Sequence, residues 1–442
     1  MDPRYNAIVN RFLSFRSSAT RMLIRHLLMG AVLAMSSTNI TAGVAMAVGT
    51  DATPAEWIDA DTGHRVIRLS QEPGSASLYF HQNAYSADGQ QLIITTPTGI
   101  SAINLKTREV EQVVDGPVNV IVTGRKTGDV YYTRGNTVYA TNLHTHATRS
   151  VVKLPTGHSV STLNADETLL AGTVEATDPT GKTPRPEPPK LRPQRERMFP
   201  GKQQLTPEET AAAAKEEKLA RNLINPRPKA LVTINTKTGE VKTFNYSYDW
   251  LNHLQFSPVD PTLLMFCHEG TWHEVDRIWT IRSDGTGLRL MHKRSMDMEI
   301  AGHEFWNPDG KIIWYDLQTP RSQVFWIAGV NIKTGKEIRY PVERNQWSVH
   351  YNVSPDGTLF AGDGGDPGQV AFAPDGRWLN LFHRQPDGTL KCERLVNMAQ
   401  HNYHLEPNVT FTPDGTWVVF RSNMFGLSHV FAVEVKKAAD PK

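Results

Sequence analysis

The chain has 442 residues, 39% hydrophobic and 21% charged, an ordinary globular composition with length for one or two cores. Its formal net charge is +2; five arginines and one aspartate fall in the first 47 residues, which leaves the remainder at about −2. A near-neutral body gives no basis for nucleic-acid binding, and two cysteines, Cys267 and Cys392, rule out a disulfide scaffold while leaving one bridge open.

In chain order, Arg21 and Arg25 precede an apolar run from Leu27 to Met35, and Ala45-Met46-Ala47 has the small-x-small pattern of a signal-peptidase site. Residues 1–47 therefore read as an export signal, with a start at Met22 or a plain cytosolic tail as the alternatives. Export places the mature chain, 48–442, in the periplasm or outside the cell. No later stretch approaches the ~20 apolar residues that span a bilayer, so no membrane span is expected after cleavage.

The mature sequence then repeats. An apolar strand runs into a turn of the type Ser/Asn/Thr-Pro/Ala-Asp-Gly and a second apolar strand: "YSADGQQLIITT" from Tyr85, "LNADETLLAGT" from Leu163, "FSPVDPTLLMFC" from Phe256, "WNPDGKIIWYD" from Trp306, "VSPDGTLFAGD" from Val353 and "FTPDGTWVVFR" from Phe411. Proline fixes the first turn angle and glycine takes the positive one. Spacings of roughly 40–50 residues suit four-stranded blades, so the predicted fold is all-β, a seven-bladed β-propeller over 48–442. The blades centre on 80–115, 118–153, 158–244, 250–292, 302–341, 348–397 and 404–436. Asn104, Asn235 and Asn331 open similar outer hairpins. The last blade has three strands of its own, and His64 to Ser70 is expected to supply the fourth and close the ring, which removes the exposed sheet edges.

The third unit carries an insertion at about 178–228, rich in proline and charge, then helical from Thr206. Thr206 fits an N-cap, Pro207 the first turn and Glu209 a capping box. It reads either as a surface excursion or as a flap over the channel mouth that contributes an arginine.

Five residues before the prolines of four successive turns (Pro258, Pro308, Pro355, Pro413) stand His253, His303, His350 and Asn408. Five residues of strand span roughly 16 Å, which puts this slot near the start of each inner strand, around one mouth of the channel. Glu406, two residues before Asn408, faces the same side. Imidazole with carboxylate and amide oxygen suits Mn²⁺, Zn²⁺ or Fe²⁺ better than Ca²⁺. Between strands of the fourth blade, "CHEGTWHEVDRIW" is dense in polar chemistry; His268 and Arg277 there are either members of a hydrogen-bonded loop or substrate-binding groups. No nucleophile elbow, phosphate loop or dinucleotide fingerprint occurs.

"LNHLQFSP", "LLMFCHEG", "GHEFWNPDG" and "EPNVTFTPDGTWVVFRSNMFG" resemble the oligogalacturonate lyases of pectin-degrading bacteria, best over about 250–436, with a weaker echo in "YFHQNAYSADGQQLIIT", which contains His81. The resemblance implies a seven-bladed propeller that binds a divalent metal, typically Mn²⁺, and cleaves oligogalacturonides by β-elimination. It makes His253 the general base and His303 a metal ligand, and it matches His350 to a histidine that the family carries. In the last blade Tyr403, Glu406 and Asn408 stand where the family has Gln, His and His, a more oxygen-rich set to which His404 could contribute by a small shift. His303, His350, Glu406 and Asn408 are thus the expected metal ligands. His81, His268, Arg277, Tyr403, His404 and Arg227, the residue nearest the family's substrate arginine, are the expected substrate-binding group. The alternatives are a non-catalytic periplasmic propeller resembling TolB, which shares the "SPDG" turns but has no need of in-register histidines, and a lyase for another uronate-containing oligosaccharide.

Overall fold

The computed structural model describes residues 53–187, 193–369 and 373–438; the expected export signal lies outside them. The described chain is seven antiparallel sheets, six of four strands and one of five. Their inner strands are Ala76–Ser77, Asn119–Thr123, His158–Leu163, Trp250–Phe256, Ile300–Trp306, Tyr351–Val353 and Thr410–Phe411, and we number the blades 1 to 7 in that order. Ring closure follows the expected route: His64–Arg68 pairs antiparallel with the last strand, His429–Lys437, with Val66 opposite Val433 and Arg68 opposite Phe431. The structure adds a fifth strand outside it, Glu56–Ile58, so blade 7 is wider than the sequence suggests.

The recurring turn holds itself together. In blade 6 the Ser354 hydroxyl donates to Asp356 Oδ1 (2.6 Å) and accepts from the Leu359 N–H (2.9 Å), while Gly357 takes φ of +72°. The blades are glued face to face by apolar residues, most of them on their middle strands. Phe305, Trp314, Phe325, Trp347, Phe360 and Phe382, all buried, join blades 5 and 6, each worth very roughly 1.5–3 kcal/mol of removed apolar surface. Both cysteines are free. No helix among the described residues is long and apolar enough to cross a membrane.

In each blade the inner strand runs from one face of the disc to the other, and the second strand returns. Connections between second and third strands therefore emerge on the face where the inner strands begin. The insertion leaves blade 3 at this point, between Leu169–Val174 and Lys229–Asn235. It carries two helices, α1 (Gln194–Met198) and α2 (Pro207–Ile224). The capping box at Thr206 is present: Glu209 N–H donates to Thr206 Oγ1 (3.2 Å) and Thr206 N–H to Glu209 Oε2 (3.0 Å). Helix α2 crosses the mouth. Glu208 lies beside Gly368 of blade 6, Glu216 pairs with Arg321 of blade 5, and Leu223 abuts Gly270 of blade 4.

Candidate active site at the helix-covered mouth

The slot residues sit at backbone irregularities. In blade 4 the ladder passes from Asn252 opposite Cys267 to Gln255 opposite Met265, so His253 and Leu254 share one partner residue. In blade 5 it passes from Gly302 opposite Asp316 to Phe305 opposite Trp314, so His303 and Glu304 share one. These are β-bulges, and His253, His303 and Asn408 take left-handed φ values of +50°, +46° and +55°. A non-glycine residue there costs about 1–2 kcal/mol. The bulge has a chemical consequence. A regular strand would send residues 303 and 304 to opposite faces; here both serve one site.

His303 and His350 come together from neighbouring blades, ring centroids 4.6 Å apart. Each is fixed through Nδ1 by a buried aspartate on, or just past, the second strand of its own blade: His303 to Asp316 Oδ1 (2.8 Å) and His350 to Asp363 Oδ2 (2.7 Å). With Nδ1–H donating, the Nε2 lone pairs are left for the site, a tautomer assigned from the partners. Both aspartates lie thirteen residues after their histidine. Thirteen residues after His253 stands Phe266, so His253 lacks this support. Its Nδ1 is buried without a hydrogen-bond partner, 3.6 Å from Glu304 Oε1, and its Nε2 is 4.0 Å from Glu269 Oε2.

Beneath these rings lies a charged layer. Arg277, expected to hold a substrate carboxylate, is fully buried and committed elsewhere: Nη1 donates to Glu269 Oε1 (2.7 Å), Nε donates to Glu304 Oε2 (3.1 Å), and its guanidinium lies 4.9 Å from the Trp272 ring centroid. Burial pushes Glu304 up, but Arg277 and His253 outweigh it and hold the carboxyl at about 2, so it is ionised. Burial lowers His253 from 6.5, against the pull of Glu304, so the ring is neutral at pH 7. Burial also drives His303 well down and pushes Asp316 up to about 7. For His350 burial opposes protonation, but Asp363 outweighs it and the net direction is up.

The other expected residues divide. Glu406 reaches the site, with Oε2 3.7 Å from His350 Nε2. Tyr79 donates to that same nitrogen at 3.2 Å. Asn408 lies in register but is spent on the backbone: Oδ1 accepts from Phe80 N–H (3.3 Å) and Nδ2 donates to the Glu406 carbonyl (3.1 Å). His81 stands beside His253, centroids 5.9 Å apart, and burial with that neighbour holds it neutral, at about 3. Tyr403 is buried, its hydroxyl donating to the Asp363 carbonyl (3.1 Å), so it braces the His350 support rather than facing a ligand. His268 stacks on Trp279 at 4.8 Å. His404 is exposed. Arg227 is exposed, 3.7 Å from Glu175, and lines a groove at the outer end of the insertion.

Two spaces open into the channel. The larger, about 460 Å³, lies at the far mouth among the turn prolines Pro258, Pro308, Pro355 and Pro413. The smaller, about 110 Å³, is lined by His303, Glu406, Trp272 and Arg321 below and by Lys215 and Glu216 of α2 above. We take the smaller as the site, because His303 and the Glu406 carboxylate meet there, with His350 packed against both. Among the described residues no three His, Cys, Asp or Glu side chains form a finished metal cage. The donor chemistry nevertheless fits a divalent cation: two imidazoles locked by carboxylates, the usual support for metal-bound histidine, with Glu406 alongside. Glu304, Asp316 and Asp363 went unnoticed in the sequence; the spacing of thirteen was the signal for the two aspartates.

A family model described as "Oligogalacturonate lyase" matches residues 216–439. The oligogalacturonate lyase of Dickeya dadantii (strain 3937) is 25% identical over 407 residues, 85% of this chain and 95% of that protein. The oligogalacturonide lyase of Pectobacterium atrosepticum is 31% identical over 232 residues, 46% of this chain and 55% of that one. A solved structure of an oligogalacturonate lyase in complex with manganese superposes with a TM-score of 0.67 at 21% identity, over 87% of this chain and 96% of that chain. An oligogalacturonate lyase from Vibrio parahaemolyticus gives 0.66 at 21%, over 86% and 96%. At these identities the superpositions establish the fold.

Proposed function

The chain belongs to the oligogalacturonate lyase family, a polysaccharide lyase, and on that premise we propose that it cleaves oligogalacturonides by β-elimination with His253 as general base and a divalent metal, manganese as in its structural relative, beside the substrate carboxylate. The observation that carries the division of labour is the unequal support of the three histidines. His303 and His350 are each locked through Nδ1 by aspartate, as metal ligands are. His253 has no such aspartate on Nδ1 and instead stands between the carboxylates of Glu304 and Glu269.

The C5 hydrogen of a galacturonate residue is weakly acidic, because removing it places a second negative charge beside the carboxylate. A metal held by His303, His350 and Glu406 would supply charge neutralisation at that carboxylate. His253, neutral at pH 7, takes the C5 proton; the C–H pair becomes the C4–C5 double bond, and the C4–O pair leaves with the departing sugar, whose oxygen is protonated from solvent. Ionised Glu304, 3.6 Å from Nδ1, stabilises the imidazolium that forms. Arg277 holds Glu304 and Glu269 in place. Bulge geometry and buried carboxylates position the rings before substrate arrives, which is where such sites gain rate.

The test uses the ultraviolet absorbance of the unsaturated uronate product. Chelated protein is incubated with digalacturonate or trigalacturonate, with and without added Mn²⁺. Absorbance that rises only with metal supports the reading. Folded, metal-loaded protein that gives no rise on either substrate sinks it in favour of another uronate.

A further inference from the structure

Helix α2 closes the mouth with a carboxylate. Glu216, 2% exposed, points down into the site and meets Arg321, 8% exposed, at 2.9 Å. The two charges are close but badly aligned. Neither Nε nor Nη1 of Arg321 has a hydrogen-bond acceptor, and Glu216 Oε2 has no donor. A guanidinium presents a fork matched to both oxygens of a carboxylate, and a buried pair repays its desolvation only when such hydrogen bonds are made. The surroundings are short of partners too: Thr271 Oγ1 and both ring nitrogens of His273 are buried without any. Arg321 shares its small pocket with His303 and Glu406. At about 110 Å³ the space is well below the roughly 300–1,000 Å³ of ordinary ligand sites, so a uronate chain needs α2 to shift.

We propose that Arg321 binds the carboxylate of a sugar next to the reacting one, and that Glu216 holds its place, as an internal stand-in on a helical lid, until an acidic chain displaces it. The inference rests on the lyase reading, since it needs an oligomeric polyuronate. Exchange of Glu216 for substrate converts a misaligned pair into a two-oxygen one and frees the helix from blade 5. Arg321 is a substrate-binding residue in this proposal; it favours oligomers over monomer because it takes the carboxylate of a second sugar.

Calorimetric binding of trigalacturonate and of galacturonate is measured on full-length protein carrying His253→Ala, which prevents turnover, with Glu216→Gln, Arg321→Gln or both added. Glu216→Gln removes the competing anion and is expected to tighten trigalacturonate about tenfold, the scale of one charge-assisted hydrogen bond. Arg321→Gln is expected to weaken it about tenfold or more. Galacturonate affinity changes little in either. The double variant leaves no unpaired buried charge and is expected to melt near the parent and bind trigalacturonate as weakly as Arg321→Gln does. Unchanged or weaker trigalacturonate binding in folded Glu216→Gln, or parental binding in the double variant, overturns the subsite. Turnover by the protein with His253 intact separates the two readings: turnover without these shifts sinks the subsite alone, and no turnover with no trigalacturonate binding sinks both.

Discussion

The inner strands of blades 2 and 5 break their ladders in the same way, between Val120 and Val122 and between Gly302 and Phe305. Blade 2 fills the gap with Ile121, buried and at an ordinary negative φ. Blade 5 fills it with His303 at φ +46°, followed by Glu304. The bulge is thus part of the scaffold, and the left-handed polar residue is what the site adds. Blade 4 repeats the addition with His253, and Asn408 leads into blade 7 with the same backbone twist. Arg108, His146 and Glu167 take left-handed φ in turns of blades 1 to 3, but among the described inner strands and their lead-ins such residues fall in blades 4, 5 and 7, where the polar groups gather. Strain without benefit to packing is what a functional site stores.

The sharpest way to break this comparison is to remove the base. His253→Ala is expected to lower turnover about 10²–10⁴-fold, the usual contribution of a general base, whereas Ile121→Ala keeps turnover in folded protein; product absorbance measures both. Next in size are the supports. Asp363→Asn is expected to weaken Mn²⁺ binding about 10–100-fold, read by metal titration, and the same change at the surface residue Asp387 is expected to do nothing. A smaller effect tests the strain directly. At position 303, Gly should be more stable than Ala by about 1–2 kcal/mol, while at position 121 Gly should be less stable than Ala by about 0.5–1 kcal/mol; chemical denaturation compares each pair, and the same order at both positions would refute stored strain. The smallest is a displacement in pH. Because burial lowers His253 below 6.5, the base stays neutral down to that lower value, so the acid limb of kcat/KM should fall at a pH below 6.5. A limb above 6.5 would assign the titration to another group.

The repeat made most of the fold legible. Turn chemistry at Ser354-Pro355-Asp356-Gly357 and its relatives located the blades, and the strand missing from the last blade pointed to His64–Ser70 as the closing strand. The Thr206 cap was readable because a capping box is local. The slot His253, His303, His350 was readable because repeats place equivalent positions around one axis. What sequence could not rank was commitment. Arg277 and Asn408 look available in a string of letters, yet Glu269 and Glu304 consume the one and Phe80 and Glu406 backbone consume the other. Arg227 lies near the insertion's end in sequence, but the arginine that meets the lid, Arg321, sits in a blade 5 loop roughly a hundred residues on. Such pairings depend on which second-to-third-strand loops share a face, which only the assembled ring decides.

The division of labour among the three histidines is tested most directly by manganese binding in solution, followed by the loss of the free-ion paramagnetic resonance signal as protein is added. His253→Ala is predicted to bind Mn²⁺ with the affinity of the parent while losing turnover as above, and His350→Ala to lose the ion. Loss of manganese from His253→Ala, or its retention by His350→Ala, would make His253 a ligand and contradict the account.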